Sequence, residues 1–218
     1  MPAYVGLFET TGNMAKPWAE AGYDCYCLDI NNDDSERDGI RFCYADLTED
    51  ISARQILKNL DVAFMAAFPP CDHLAISGSR WMKGKGLRAL EWSIAMFATS
   101  AELCEDSDAP YCIENPMSTI STYWREPDHK FNPSDFIDRE PADNYSKETW
   151  LWTGNGFRMP APVMPSGLFA QHETPDDRIW RAPPGPNRKA FRSATPNGFA
   201  IAAFEANSTK HRERQQDG

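Results

Sequence analysis

The chain is short of positive charge. Lysine and arginine together number 22 against 32 aspartates and glutamates, a formal charge of −10 over 218 residues. A non-specific duplex binder draws most of its affinity from a broad basic face. This chain cannot build a large one without strong segregation of its charges. A free nucleotide, a locally gripped single strand, a short duplex contact or a basic partner all stay open. The sequence also lacks any apolar run long enough to cross a membrane, and it predicts no secretory leader. Its six cysteines (Cys25, Cys27, Cys43, Cys71, Cys104 and Cys112) include no pair at zinc-knuckle spacing. Free thiols in a reducing cytoplasm fit better than a disulfide framework. No metal site is expected, since Cys71-Asp72-His73 is too compact to be one. The first loop lacks the three-glycine dinucleotide pattern, and no serine elbow occurs. A nicotinamide oxidoreductase or a serine hydrolase is therefore disfavoured.

What is present is a core. The hydrophobic share is 41%, with 7 tryptophans, 7 tyrosines and 12 phenylalanines, which is ample for one folded domain of this length. Short apolar runs predict strands over 3–8, 23–28, 40–45, 62–67 and 109–113. Helical spacing covers 14–21, 51–60 and 81–103, where Leu87, Leu90, Ile94, Phe97 and Ala101 recur every three or four residues. Cys25, Cys27, Cys43 and Cys112 fall in expected strands, where cysteine packs as a small hydrophobe. Strands alternating with helices predict an α/β fold: a mostly parallel sheet with helices on both faces. Residues 118–148 read as irregular, 150–153 as a further strand, 157–190 as proline-rich and irregular, and 199–206 as a closing helix. The domain is expected to run over 1–209, with 210–218 a polar flexible tail.

In parallel sheets the working groups gather at the carboxyl ends of the strands. Those ends carry Glu9, Asp29, Asp46, Cys71 and Glu114. Two prolines, Pro69 and Pro70, stop the fourth strand and hold extended backbone. Cys71 then stands on the rim, where a thiol is a candidate nucleophile. A helix start near Ser79 or Arg80, together with nearby cations, is expected to lower its pKa. Glu114, in Ile-Glu-Asn-Pro after the fifth strand, is a candidate acid for the same centre. Asn115 is placed to hold neighbouring backbone. Gly12 in Phe8-Glu9-Thr10-Thr11-Gly12 permits close approach of a ligand. Asp29 suits ribose hydroxyls, and Asp46 suits a purine amino group. Each aspartate could equally be a cap or a solvated loop residue. Ser77, Arg80, Trp81, Lys83, Lys85 and Arg88 form the densest basic stretch. They could grip a phosphate and stack a ring, or be only a solvated helix start. Lys147 could meet a phosphate or a base carbonyl. Thr195 or Asn197 could be a cap or a ligand contact.

In this order the pieces resemble the DNA cytosine-5 methyltransferase family, and more closely its short bacteriophage-encoded relatives. Gly6-Leu7-Phe8-Glu9 through Gly12, with Ala21-Gly22-Tyr23 and Asp29, is similar to the family's cofactor loop and ribose acid. Pro69-Pro70-Cys71 and Glu114-Asn115 are similar to its catalytic cysteine and glutamate motifs. Pro116 stands where valine is commoner, and Thr10-Thr11 replaces small residues. The resemblance implies a Rossmann-like S-adenosylmethionine-dependent methyltransferase fold. It implies transfer of a methyl or related one-carbon group to C5 of cytosine in DNA. Cys71 would add to C6 while Glu114 engages N3. The implied S-adenosylmethionine contacts are Phe8, Glu9, Thr10, Gly12, Asp29 with Ile30, Asp46 with Leu47, Pro69 and Asn197. The implied substrate contacts are Pro70, Ser77, Arg80, Trp81, Lys83, Asn115 and Lys147. The expected setting is DNA modification in a host cytoplasm, of the kind that evades restriction. The family's separate target-recognition domain has no counterpart in the short 157–190 segment. Specificity is therefore low, or supplied by a protein partner, or the DNA is single-stranded. Modification of a free nucleotide such as dCMP, and a catalytically inactive DNA- or protein-binding module, are the alternatives.

Overall fold

The computed structural model describes residues 1–48, 55–76, 83–162, 174–183 and 191–208. Eight strands form one sheet: β1 (Ala3–Leu7), β2 (Asp24–Asp29), β3 (Ser35–Arg37), β4 (Ile40–Tyr44), β5 (Val62–Ala67), β6 (Tyr111–Pro116), β7 (His129–Phe131) and β8 (Thr149–Gly154). Their order is β3-β4-β2-β1-β5-β6-β8-β7. The run β4-β2-β1-β5-β6 is parallel throughout. β3, β8 and β7 pair antiparallel with their neighbours. This is a Rossmann-like α/β sheet, mostly parallel, with a reversed strand inserted near one end.

Side chains alternate across the sheet with the period of two that pleating imposes. Tyr4, Phe64, Cys112 and Leu151 point to one face, where α1 (Lys16–Glu20) and α5 (Asn197–Asn207) pack over them. Val5, Met65, Ile113 and Trp152 point to the other, covered by α2 (Leu87–Asp106). Both faces are thus buried, as a parallel sheet requires. On the first face Trp18 is fully buried among rings, 4.9 Å from Phe64, 5.0 Å from Tyr23 and 5.1 Å from Phe204. Burying one such side chain is worth about 1.5–3 kcal/mol or more, so Trp18 anchors α1 and α5 to the sheet together. The short helices α3 (Ile120–Tyr123) and α4 (Arg178–Arg181) lie in the later segments.

Several expectations are redrawn. α2 begins at Leu87, because Gly86 takes φ +82° and separates it from a helical turn at 83–85. The strand expected over 109–113 runs on to Pro116, so Glu114 lies within β6, opposite Leu151 of β8. β3 and β7 have three residues each, too few for alternation to reveal. The first half of the helix expected over 51–60, much of the 157–190 segment and the tail at 210–218 lie outside the described residues. All six cysteines are free. Among the described residues no helix is long and apolar enough to cross a membrane.

β1 is the switch point. The chain leaves it for β2 on one side and later returns to β5 on the other. Parallel sheets open a crevice at such a point, outside the carboxyl ends of the strands. The strand-end acids and Cys71 lie around this crevice and along the same rim.

Candidate active site

The exits of β5 and β6 are fastened to each other on both sides of Cys71. Before it, the Asn115 side-chain amide donates to the Pro69 carbonyl at 3.0 Å. After it, Ile76 N donates to Met117 O at 2.9 Å and Thr119 N to Leu74 O at 3.0 Å. Ala75 and Ser118 form an antiparallel bridge between the same two segments. The turn itself is closed by Leu74 N and Ala75 N, which both donate to the Cys71 carbonyl. Phe68 N bonds Leu7 O at 2.9 Å and ties the β5 exit to β1. Proline has no N–H to satisfy, so the Pro69-Pro70 backbone can leave the sheet without stranding a donor. The result is a half-buried thiol on a loop with little freedom.

Glu114 is turned toward Lys147. The Nζ to Oε1 distance is 3.7 Å, with the two side chains 11% and 10% exposed. Lys147 Nζ also donates to the Ala194 carbonyl at 3.2 Å, and Lys147 N to Asn132 Oδ1 at 3.0 Å. One lysine therefore links the end of β6, the segment before β8 and the loop before α5. Burial pushes the Cys71 thiol up, the Asp72 and Glu114 charges push it further, and Lys147 pulls back. The lowered thiol expected from the sequence is thus reversed. A carboxylate near enough to raise the thiol also shares its rim, so burial and that charge both favour the protonated thiol.

The first loop is organised by a buried carboxylate. Glu9 folds back over β1, where its Oε2 accepts from the Tyr4 hydroxyl at 2.7 Å and its Oε1 from Met14 N at 3.1 Å. Burial raises its pKa, and these bonds hold it back. Its side chain supports the loop from inside. Phe8 adopts φ +56°, a left-handed turn that a non-glycine residue enters only under constraint. Thr10 is exposed, and Gly12 is buried at φ +74°. A Cβ on Gly12 would stand 2.9 Å from the Phe42 ring.

Asp29, nearly buried, accepts both the backbone N–H and the side-chain amide of Asn31 through Oδ1, each at 2.7 Å. Ile30 beside it is exposed. Asp46 Oδ1 accepts from Thr48 N and Thr48 Oγ1. Leu47 is buried in the core, so its backbone alone faces any ligand. Asn197 is exposed at the start of α5.

The structure therefore brings Cys71, Pro69, Pro70, Glu114, Asn115 and Lys147 into one bonded cluster. Phe8, Glu9, Thr10, Gly12, Asp29 and Ile30 occupy the neighbouring strand ends. Asn115 is 1% exposed and holds backbone, which leaves it no open face for substrate. Lys83 is exposed in the helical turn before α2. Ser77, Arg80 and Trp81 lie outside the described residues.

Four organising residues were not legible in the sequence. Asn32 donates to Glu9 O at 3.1 Å and Cys27 O at 2.8 Å, joining the first loop to β2. Asn13 donates to Thr195 O at 3.0 Å across 182 residues of chain. Asp143 accepts from Gly198 N at 2.8 Å and fixes the start of α5. Tyr145 has its hydroxyl pushed up by burial first and then by the Asp143 charge, with Glu114 adding to it. Each acts through a partner distant in sequence, so no local pattern announces it.

Fold and site together define a Rossmann-like α/β protein with a thiol and a carboxylate held on one rim. No protein-family model matches the chain, and no curated protein matches it.

Proposed function

We propose that this chain is a cytosine-5 methyltransferase acting on DNA, with the S-adenosylmethionine methyltransferase variant of the Rossmann-like fold. The observation that carries the reading is the bond from Asn115 to Pro69, which locks the Pro-Pro-Cys turn to the Glu-Asn end of β6. Nucleophile and acid come from strands whose order in sequence gives no contact between them. Their joint fixation is what an attack on a ring held between them needs.

The residues present fit the cofactor. Asp29 engages Asn31 through one oxygen and keeps the other for ribose hydroxyls. Ile30 offers an exposed apolar side chain beside it. Phe8, Thr10 and Gly12 line the first turn, and Asn13 ties that turn to the loop before Asn197. Asp46 and the Leu47 backbone would lie on the adenine side. The bound group supplies an electrophilic methyl. The surrounding acids suit a sulfonium cation better than a phosphate.

On the protein side, the Cys71 thiol gives its proton to water, and its sulfur forms a bond to C6 as the C5–C6 double bond opens. Glu114 holds a proton at N3, which drains charge from the ring as that bond forms. C5 becomes nucleophilic and takes the new carbon. Water then takes the C5 proton, the C5–C6 double bond re-forms, and the Cys71 sulfur departs as thiolate with the pair from its C6 bond, which restores the aromatic ring. Lys147 steadies Glu114 throughout. If the target sits in a duplex, its base must leave the stack to reach Cys71.

The test supplies methyl-labelled S-adenosylmethionine with single-stranded DNA, duplex DNA or dCMP, and identifies the modified base by mass. 5-Methylcytosine in DNA is expected, and it should vanish in Cys71→Ser while cofactor binding persists. Label in dCMP alone would move the substrate to free nucleotide. Unchanged product from Cys71→Ser would end the covalent reading.

A further inference from the structure

The run from Arg178 to Arg192 holds five cations, Arg178, Arg181, Arg188, Lys189 and Arg192, and no acid, in a chain of net charge −10. It also exposes two large rings, Trp180 at 59% and Phe191 at 47%. The Arg192 guanidinium lies 6.0 Å from the centre of the Trp180 ring. Arg181 pairs with Asp177 yet keeps its side chain 80% exposed. Arg178 is held by Asp176 and lies over the Tyr145 ring at 5.3 Å.

This surface is attached to the catalytic rim. Ser146 N donates to Asp176 O at 2.9 Å, Asp176 N to Asn144 O at 3.2 Å, and Tyr145 bridges Asp176 in parallel register. Lys147, next after Ser146, carries an Nζ that reaches both Glu114 and the Ala194 carbonyl two residues beyond Arg192. A ligand lying on Trp180 and Phe191 would therefore sit on a surface bonded to the segment that carries Lys147.

We propose that Trp180, Phe191, Arg181 and Arg192 form a stacking strip for single-stranded DNA, gripping the nucleotides that flank the target base. Exposed aromatic rings interleaved with cations are the chemistry that holds single strands without reading sequence. In a duplex the base faces are already stacked on each other, so such rings find no partner there. The strip does the gripping that a separate recognition domain would otherwise do. The proposal rests on the reading above only in taking DNA as the substrate.

The experiment measures fluorescence anisotropy of a labelled 12-nucleotide oligothymidylate added to the full chain. That probe has no cytosine, so binding is read apart from chemistry. Trp180→Ala and Arg192→Gln should each weaken binding roughly ten-fold, whereas Trp180→Phe should keep most of it. Removing the arginine should also lower the salt slope by about 0.7. Intrinsic tryptophan fluorescence should be quenched by the oligonucleotide in the parent and not in Trp180→Ala. Equal binding by parent and both variants would overturn the proposal. So would tighter binding to a duplex of the same length, or to oligouridylate, which would assign the strip to RNA. No oligothymidylate binding alongside normal dCMP modification would sink the strip and spare the chemistry. Binding that depends on Trp180, with no methyl transfer to any cytosine, would do the reverse.

Discussion

Replacing Gly6 by alanine should break the first loop through one contact. A Cβ there would stand 2.0 Å from Glu9 Oε2 and 3.0 Å from Glu9 Cδ. The carboxylate must leave, and with it the bonds from the Tyr4 hydroxyl and Met14 N. Both donors lie in the core, on residues shut off from solvent. Hydrogen bonds to a charged group are worth about 1.5–3 kcal/mol each. The loss should therefore be about 3–6 kcal/mol, a large share of the ~5–15 kcal/mol typical of a folded domain. For a chain of this size that corresponds to a drop of roughly 10 °C in Tm. Urea unfolding of Gly6→Ala, Glu9→Ala and the double variant forms a cycle. Each single change removes the same two bonds, so the double should cost little more than either. An interaction of at least ~1.5 kcal/mol is expected between sites in direct contact. Additive costs, or a Gly6→Ala penalty under ~1 kcal/mol, would refute the reasoning. Because Met14 N begins the turn that would hold the cofactor, titration calorimetry should also show weaker S-adenosylmethionine binding in Gly6→Ala.

Asn115→Ala should release the Pro-Pro-Cys turn, costing about 1–3 kcal/mol and lowering kcat far more than it raises KM; equal effects on both would argue against a positioning role. Methyl transfer should rise with pH from neutral into the alkaline range, about ten-fold per unit while the raised Cys71 thiol ionises; a flat profile between pH 7 and 9 would mean that the thiol is already ionised. The buried Cys25 is pushed up to about 12, with Cys27, Cys104 and Cys112 also raised by burial. A thiol raised in the folded state contributes stability that is complete below its unfolded value near 9 and is lost above it. Unfolding free energy should therefore fall between pH 9 and 12, by up to about 1.4 kcal/mol per pH unit for each such thiol. Cys25→Ala should lessen that slope in urea titrations at stepped pH.

The strands that build the parallel sheet could be read from short apolar runs, because a strand buried on both faces is apolar throughout. β5 matches its expected limits, residue for residue. The rim followed from the α/β alternation alone, since parallel strands put their carboxyl ends on one side. Cys71, Glu114, Asp29 and Asp46 were legible for that reason. Composition also carried the charge deficit, and with it the exclusion of a broad basic face. What local sequence could not carry was anything fixed by partners far apart in the chain. The bond from Asn115 to Pro69 spans 46 residues and that from Asn13 to Thr195 spans 182. The reversal of the Cys71 shift belongs here too. A thiol's pKa follows from the water and charge around it, and folding set burial, Asp72 and Glu114 against the pull of Lys147. Spacing and residue type thus set which groups reach the rim, whereas their ionisation and mutual fixation depend on distances that exist only once the chain is packed.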